Sequence, residues 1–147
     1  MRNNLTDRVK TIRALNSVAV GTSSQTSSIV DMAGYEGVRF LILWGAITDG
    51  TPAIKVQQGQ ASNMSDAADL ANTSVAVAIT DDNKMAIVDV YAPAERYVQC
   101  VVTRGGATGG VIDGIVAELY GPRAEPVTQD ATVANSEKHV SPAEGTA

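Results

Sequence analysis

A single cysteine, Cys100, stands in this chain of 147 residues, so no disulfide can form within it and the cross-linked framework of small secreted domains is excluded. Histidine is equally scarce, His139 being the only one. One imidazole and one thiol far apart in sequence do not supply the three or four ligands of a zinc shell. A Ser/His/Asp triad needs a rigidly held histidine, whereas His139 lies among Ser136, Glu137, Lys138 and Ser141 in a polar terminal stretch. Aromatic residues make up only 4% of the chain, which leaves few rings for the exposed platforms on which sugars stack. Basic residues are outnumbered, 11 against 16 acidic, for a net charge of −5. No basic stripe is therefore available to neutralise phosphates, the main source of nucleic-acid affinity. Nor is there a run of about 20 apolar residues that could cross a bilayer as a helix. The first ten residues lack the apolar centre of a signal peptide, and synthesis in the cytoplasm is the expectation.

What the chain does have is length for one domain with its own core, since a domain of this size buries roughly 70% of the surface of its unfolded chain. Charged residues are 18% of the sequence, below the usual value of about 25%, and a surface poor in charge suits contact with other proteins. From residue 16 onward, apolar and polar residues alternate in short runs separated by turn residues, the signature of an antiparallel all-β domain. Strands are predicted over 17–20, 27–32, 37–46, 53–58, 74–80, 84–91, 96–103 and 111–120. About eight strands suit a jelly-roll-like β-sandwich. The 37–46 strand carries Val38, Phe40, Ile42 and Trp44 on one face and Leu41 and Leu43 on the other, so both faces are expected to be covered and the strand to be central. In 96–103, Val98, Cys100 and Val102 share one face, which makes Cys100 a core residue.

Between these runs the turn chemistry predicts hairpins, notably at 48–52, 81–83 and the glycine-rich 105–110. That last segment lacks the lysine and the following helix of a phosphate-binding loop. Asp81, Asp82 and Asn83 read as a polar turn rather than the six or more oxygens that calcium needs. Asp66 and Asp69 lie beside Ser62 and Ser65, in a connection expected to form one helical turn, and their spacing fits caps as well as paired catalytic carboxylates. Tyr35, Tyr91 and Tyr120 fall near strand ends, where a ring packs while its hydroxyl stays wet. No enzymatic constellation and no cofactor or metal site is expected from these residues.

The two ends differ from the middle. Residues 1–15 place Leu5, Val9 and Ile12 at helical spacing, which fits a short helix or an extended arm, and residues 122–147 are too polar to build a core. The expected organisation is an N-terminal arm over 1–15, a sandwich over 16–121 and an extended C-terminal arm over 122–147.

The layout VDMAGYEGVRFLILWGAITDGTPAIKVQQG (30–59), SDAADL (65–70), DDNKMAIVDVYAPAERYVQCVVTRGG (81–106) and ELYGPRAEP (118–126) resembles small tailed-bacteriophage head proteins of the capsid cement or decoration kind. The resemblance spans about residues 16–126. It implies a jelly-roll sandwich on the outer capsid surface of the virion that clamps neighbouring copies of the major capsid protein. It also implies self-association as a homodimer or homotrimer, without nucleic acid or membrane. Leu5, Val9 and Ile12 in one arm, with Val127, Val133 and Val140 in the other, are then the candidate contacts to the capsid or to a second copy. Another virion part, such as a tail-tube or tail-tip sandwich, and a glycan-binding module remain as alternatives.

Overall fold

Alternating apolar runs become eleven strands in the computed structural model of the chain, which describes residues 4–146. They are β1 (Lys10–Leu15), β2 (Val18–Gly21), β3 (Gln25–Thr26), β4 (Val30–Asp31), β5 (Gly37–Ile47), β6 (Ala53–Gly59), β7 (Ala68–Asp69), β8 (Val75–Ala76), β9 (Met85–Tyr91), β10 (Tyr97–Thr103) and β11 (Gly110–Tyr120). Two antiparallel sheets result. The first runs β1-β11-β5-β9, with β2 also on β11; the second runs β3-β10-β6-β7, with β4 also on β10 and β8 also on β6. The pairs β1/β2, β3/β4 and β7/β8 each act as one interrupted strand, which leaves eight strands in the orders 1-8-3-6 and 2-7-4-5. That is the wrapping of a jelly roll, and the all-β sandwich is as the alternation predicted.

The turns behave differently from expectation. Segments 48–52, 81–83 and 105–110 do not close hairpins, because β5 and β6, β8 and β9, and likewise β10 and β11, belong to opposite sheets. Glycine and aspartate permit a tight reversal within a sheet as readily as a step across the roughly 10 Å between sheets. The N-terminal segment also departs from the predicted helix or arm. Among the described residues of this segment only Leu5–Asp7 form a 3-10 turn, and Lys10–Leu15 pair with β11, so the sandwich starts at Lys10 rather than at residue 16. Pairing with an already formed strand, which turns Ala14 into the core, outweighs a three-residue helical spacing. The predicted 74–80 strand shrinks to Val75–Ala76, followed by a 3-10 turn over Ile79–Asp81. Where a helical turn was expected near 62–70, Ala68–Asp69 instead pair with β6.

Between the sheets lies one core. Val38, Phe40, Ile42 and Trp44 on β5 face Ile54 and Val56 on β6 and Val98, Cys100 and Val102 on β10, all almost without exposure. β5 sits between β11 and β9, the interior position expected for it. Burial pushes the Cys100 thiol up to about 12, so it stays protonated at neutral pH and acts as a small core residue.

Among the described residues one charged side chain is buried with this core. Arg104 is 2% exposed, and its guanidinium donates to the carbonyls of Ala19, Ser23 and Gly110 and to Ser23 Oγ at 2.6–3.1 Å. No carboxylate pairs with it among the described residues, so backbone dipoles solvate the charge. The result is a clasp between the β2–β3 turn and the connection from β10 to β11. Arg104→Met should therefore lower unfolding free energy by about 1–3 kcal/mol, because four acceptors, the buried Gly110 carbonyl among them, lose their donor at once. Arg104→Lys should not restore it, since an ammonium lacks the planar fork. Urea denaturation with an unchanged m-value would measure both.

Candidate interaction surface

The terminal segments meet along the outer edge of β1. Gln129 is the hub: its Oε1 accepts the Thr11 N–H at 2.8 Å, and its Nε2 donates to the carbonyls of Thr6 and Val9 at 2.9 and 2.7 Å. The Arg13 N–H donates to Thr132 Oγ1 at 2.9 Å, and the Val127 N–H to the Asp7 carbonyl at 2.9 Å. Ion pairs Arg8–Glu125, Lys10–Asp130 and Lys138–Asp7 flank these bonds. Pairs of this exposed kind are worth about 0–1 kcal/mol each, so the hydrogen bonds to the strand edge are what seat the tail.

This changes the reading of the six apolar arm residues. Ile12 packs against the core. Leu5, Val9 and Val133 line one recess beside Gln129, and Val127 is half-buried. Only Leu5 and Val140 are bare, at 64% and 71% exposure, and Val140 lines none of the recess shared by the other three. The arms are not free reaching segments: the C-terminal one finds its surface on the N-terminal strand of the same chain. His139 is exposed, 3.0 Å from Glu137.

A surface that sequence reasoning missed lies on the outer face of the first sheet. Cross-strand register puts Val116, Leu41 and Ile87 in one row and Leu43 opposite Met85 in the next. Leu41 and Leu43 are half-buried, while Ile87 and Met85 are 50% and 56% exposed. The outer face of β5 is thus less covered than its unbroken apolar run suggested. That run was the available signal, because a strand apolar on both faces needs two partners and this sandwich supplies one.

A polar frame borders the apolar band. Arg39 and Glu118 form a close ion pair, and Tyr120 donates its hydroxyl to Asp89 at 2.6 Å. Burial, then the Asp89 bond, pushes the Tyr120 hydroxyl up to about 12, so it remains a donor at physiological pH. Gly37 makes the geometry possible, because a Cβ there would run into the Tyr120 ring.

The carboxylates in the loops are occupied by backbone. Asp49 accepts the N–H groups of Ala107, Thr108 and Gly109 at 2.6–3.0 Å, so the glycine-rich loop does cradle an anion, one supplied by the chain itself. Gly109 has φ +71°, and a Cβ would overlap the Gly21 carbonyl. Asp66 accepts the N–H groups of Gln60 and Ala61, whereas Asp69 holds Lys55 and Gln57, so these two aspartates do separate jobs. Asp82 accepts the Ile47 N–H, and Asp81 that of Ala78. Among the described residues no three His, Cys, Asp or Glu side chains gather as metal ligands.

No protein-family model and no curated protein matches the chain. The outer face of the first sheet is therefore judged on its own geometry: an apolar band framed by fixed charges, built on strands rather than loops.

Gln129→Ala should expose the β1 edge at a cost of about 1–3 kcal/mol of local stability. Faster hydrogen exchange at Thr11 and earlier proteolytic cleavage after residue 121 would show it. The backbone bonds hold the carboxyls of Asp49 and Asp66 below the usual range. Their stabilisation is complete above the unfolded carboxyl value of about 4 and is lost as pH falls through the lower native values. Melting temperatures should accordingly drop below pH 4, and Asp49→Asn should melt earlier at pH 7, with the gap to the native chain closing as the pH falls.

Proposed function

We propose that this protein is a structural virion component that binds the outside of a phage capsid and stabilises it by clamping neighbouring major capsid proteins. The observation that carries the reading is the outer face of the first sheet, where Leu41, Leu43, Met85, Ile87 and Val116 form an apolar band framed by Arg39, Glu118 and Asp89. An apolar centre with a polar rim is the anatomy of a protein-binding patch, and strands hold it more rigidly than loops would. The strand-and-turn layout of residues 16–126 supports the same reading through its likeness to capsid cement proteins.

The mechanism is mass action. A protein that binds the intact mature lattice and not the broken one stabilises the lattice by about 2.7 kcal/mol per site at a free concentration 100 times its Kd. Bound copies act together, so modest individual contacts add up over the shell. The tail seated on β1 leaves the band open and keeps that sheet edge from pairing elsewhere.

Purified protein mixed with undecorated heads should cosediment to saturation and raise their disruption temperature. Ile87→Asp, at an exposed position, should weaken attachment at least tenfold while leaving the melting temperature of the free protein within a few degrees. Absence of saturable binding to heads would overturn the reading, and binding to purified tails instead would assign the protein to the tail.

A further inference from the structure

The first sheet ends on one side at β1, which Gln129 and Thr132 seal, and on the other at β9, whose outer edge pairs with no further strand among the described residues. The direction of its backbone groups follows from two bonds. Trp44 N–H donates to the Lys84 carbonyl, and Ala92 N–H donates to the Glu36 carbonyl. With β5 and β9 in unbroken antiparallel register, Ala86, Val88 and Val90 turn their N–H and C=O groups toward β5, and Met85, Ile87, Asp89 and Tyr91 turn theirs away. Within Met85–Tyr91 the strand has no proline, no lysine and no bulge, and its one charged side chain, Asp89, is engaged by the Tyr120 hydroxyl. The second sheet differs, because its outermost strands β3, β4, β7 and β8 are two residues long.

We infer that β9 is a self-association edge, at which two copies of this chain join by antiparallel pairing of β9 with β9 across a two-fold axis. The edge is complementary to itself. With the axis at Val88, Met85 faces the partner's Tyr91 and Ile87 faces the partner's Asp89, so every outward N–H and C=O of these four residues meets its counterpart. Met85 then lies against an aromatic ring, a favourable contact for its sulfur. An axis at Asp89 would set two carboxylates directly opposite, and an axis at Ile87 would leave Tyr91 without a counterpart. Closure follows from the sealed β1 edge: each copy offers one open long edge, so assembly stops at two rather than growing into a fibre. The dimer would place both apolar bands on one face of a continuous sheet. This inference does not rest on the capsid reading, although a two-banded dimer would grip a lattice bivalently.

Sedimentation velocity over about 1–100 µM, the range of modest interfaces, should show a monomer–dimer equilibrium. In hydrogen exchange the amides of Met85, Ile87, Asp89 and Tyr91 should be protected in the dimer and fast in the monomer. Ile87→Pro should abolish the dimer while keeping the far-UV spectrum, because the Ile87 N–H is not used by β5 and proline is tolerated at such edge positions. Ile87→Glu should do the same by setting a second carboxylate opposite the partner's Asp89, and decides the matter if the proline variant misfolds. A native chain that stays monomeric at the highest concentration, a dimer that survives both variants, or β9 amides protected only when another protein is added would each overturn the inference. Failure of head binding would leave it intact.

Discussion

A strand has two faces, and the one that carries Val38, Phe40, Ile42 and Trp44 can leave water only against the face of the second sheet carrying Val56, Val98 and Cys100. That requirement governs the rest of the molecule. It brings strands adjacent in sequence into opposite sheets, and so obliges 48–52 and 105–110 to bridge the sandwich instead of reversing within a sheet. Bridging loops lose the ladder that would have paired their backbone groups. Asp49 supplies acceptors for 105–110, and Arg104 supplies donors for the β2–β3 connection, which also crosses between the sheets; these backbone partners are why a buried charge without a counter-ion is tolerable here.

The same closure creates edges, and the chain treats them unequally. In the second sheet they are too short to template another strand. The β1 edge is covered by side chains of the C-terminal segment, with Gln129 doing through its amide what a neighbouring strand would do through its backbone. The β9 edge is bare. Such asymmetry lets a small sandwich keep one direction of association and forbid the other.

The proposed partner-binding surface is a rigid outward face of the first sheet. The apolar band around Leu41 and Ile87 lies on the sheet whose inner face carries the buried Phe40, Ile42 and Trp44. A partner would meet it without the chain having to reorder loops, which lowers the entropic cost of binding. The fixed Arg39–Glu118 pair and the Tyr120–Asp89 bond give the band a defined outline.

Period-two alternation by itself determined the all-β class, the interior position of β5 and the burial of Cys100, Phe40 and Trp44, because residues two apart share a face whatever the strand pairs with. Composition likewise showed that residues 122–147 could not form a core. Tertiary structure alone decided which sheet each strand joined, since turn residues constrain the reversal and not its destination. It also decided that Lys10–Leu15 would be a strand and that Val9 and Val133 would line one recess. Arg104 as a buried clasp and β9 as an open edge were equally beyond the sequence, because both depend on which backbone groups are left over after distant segments have paired.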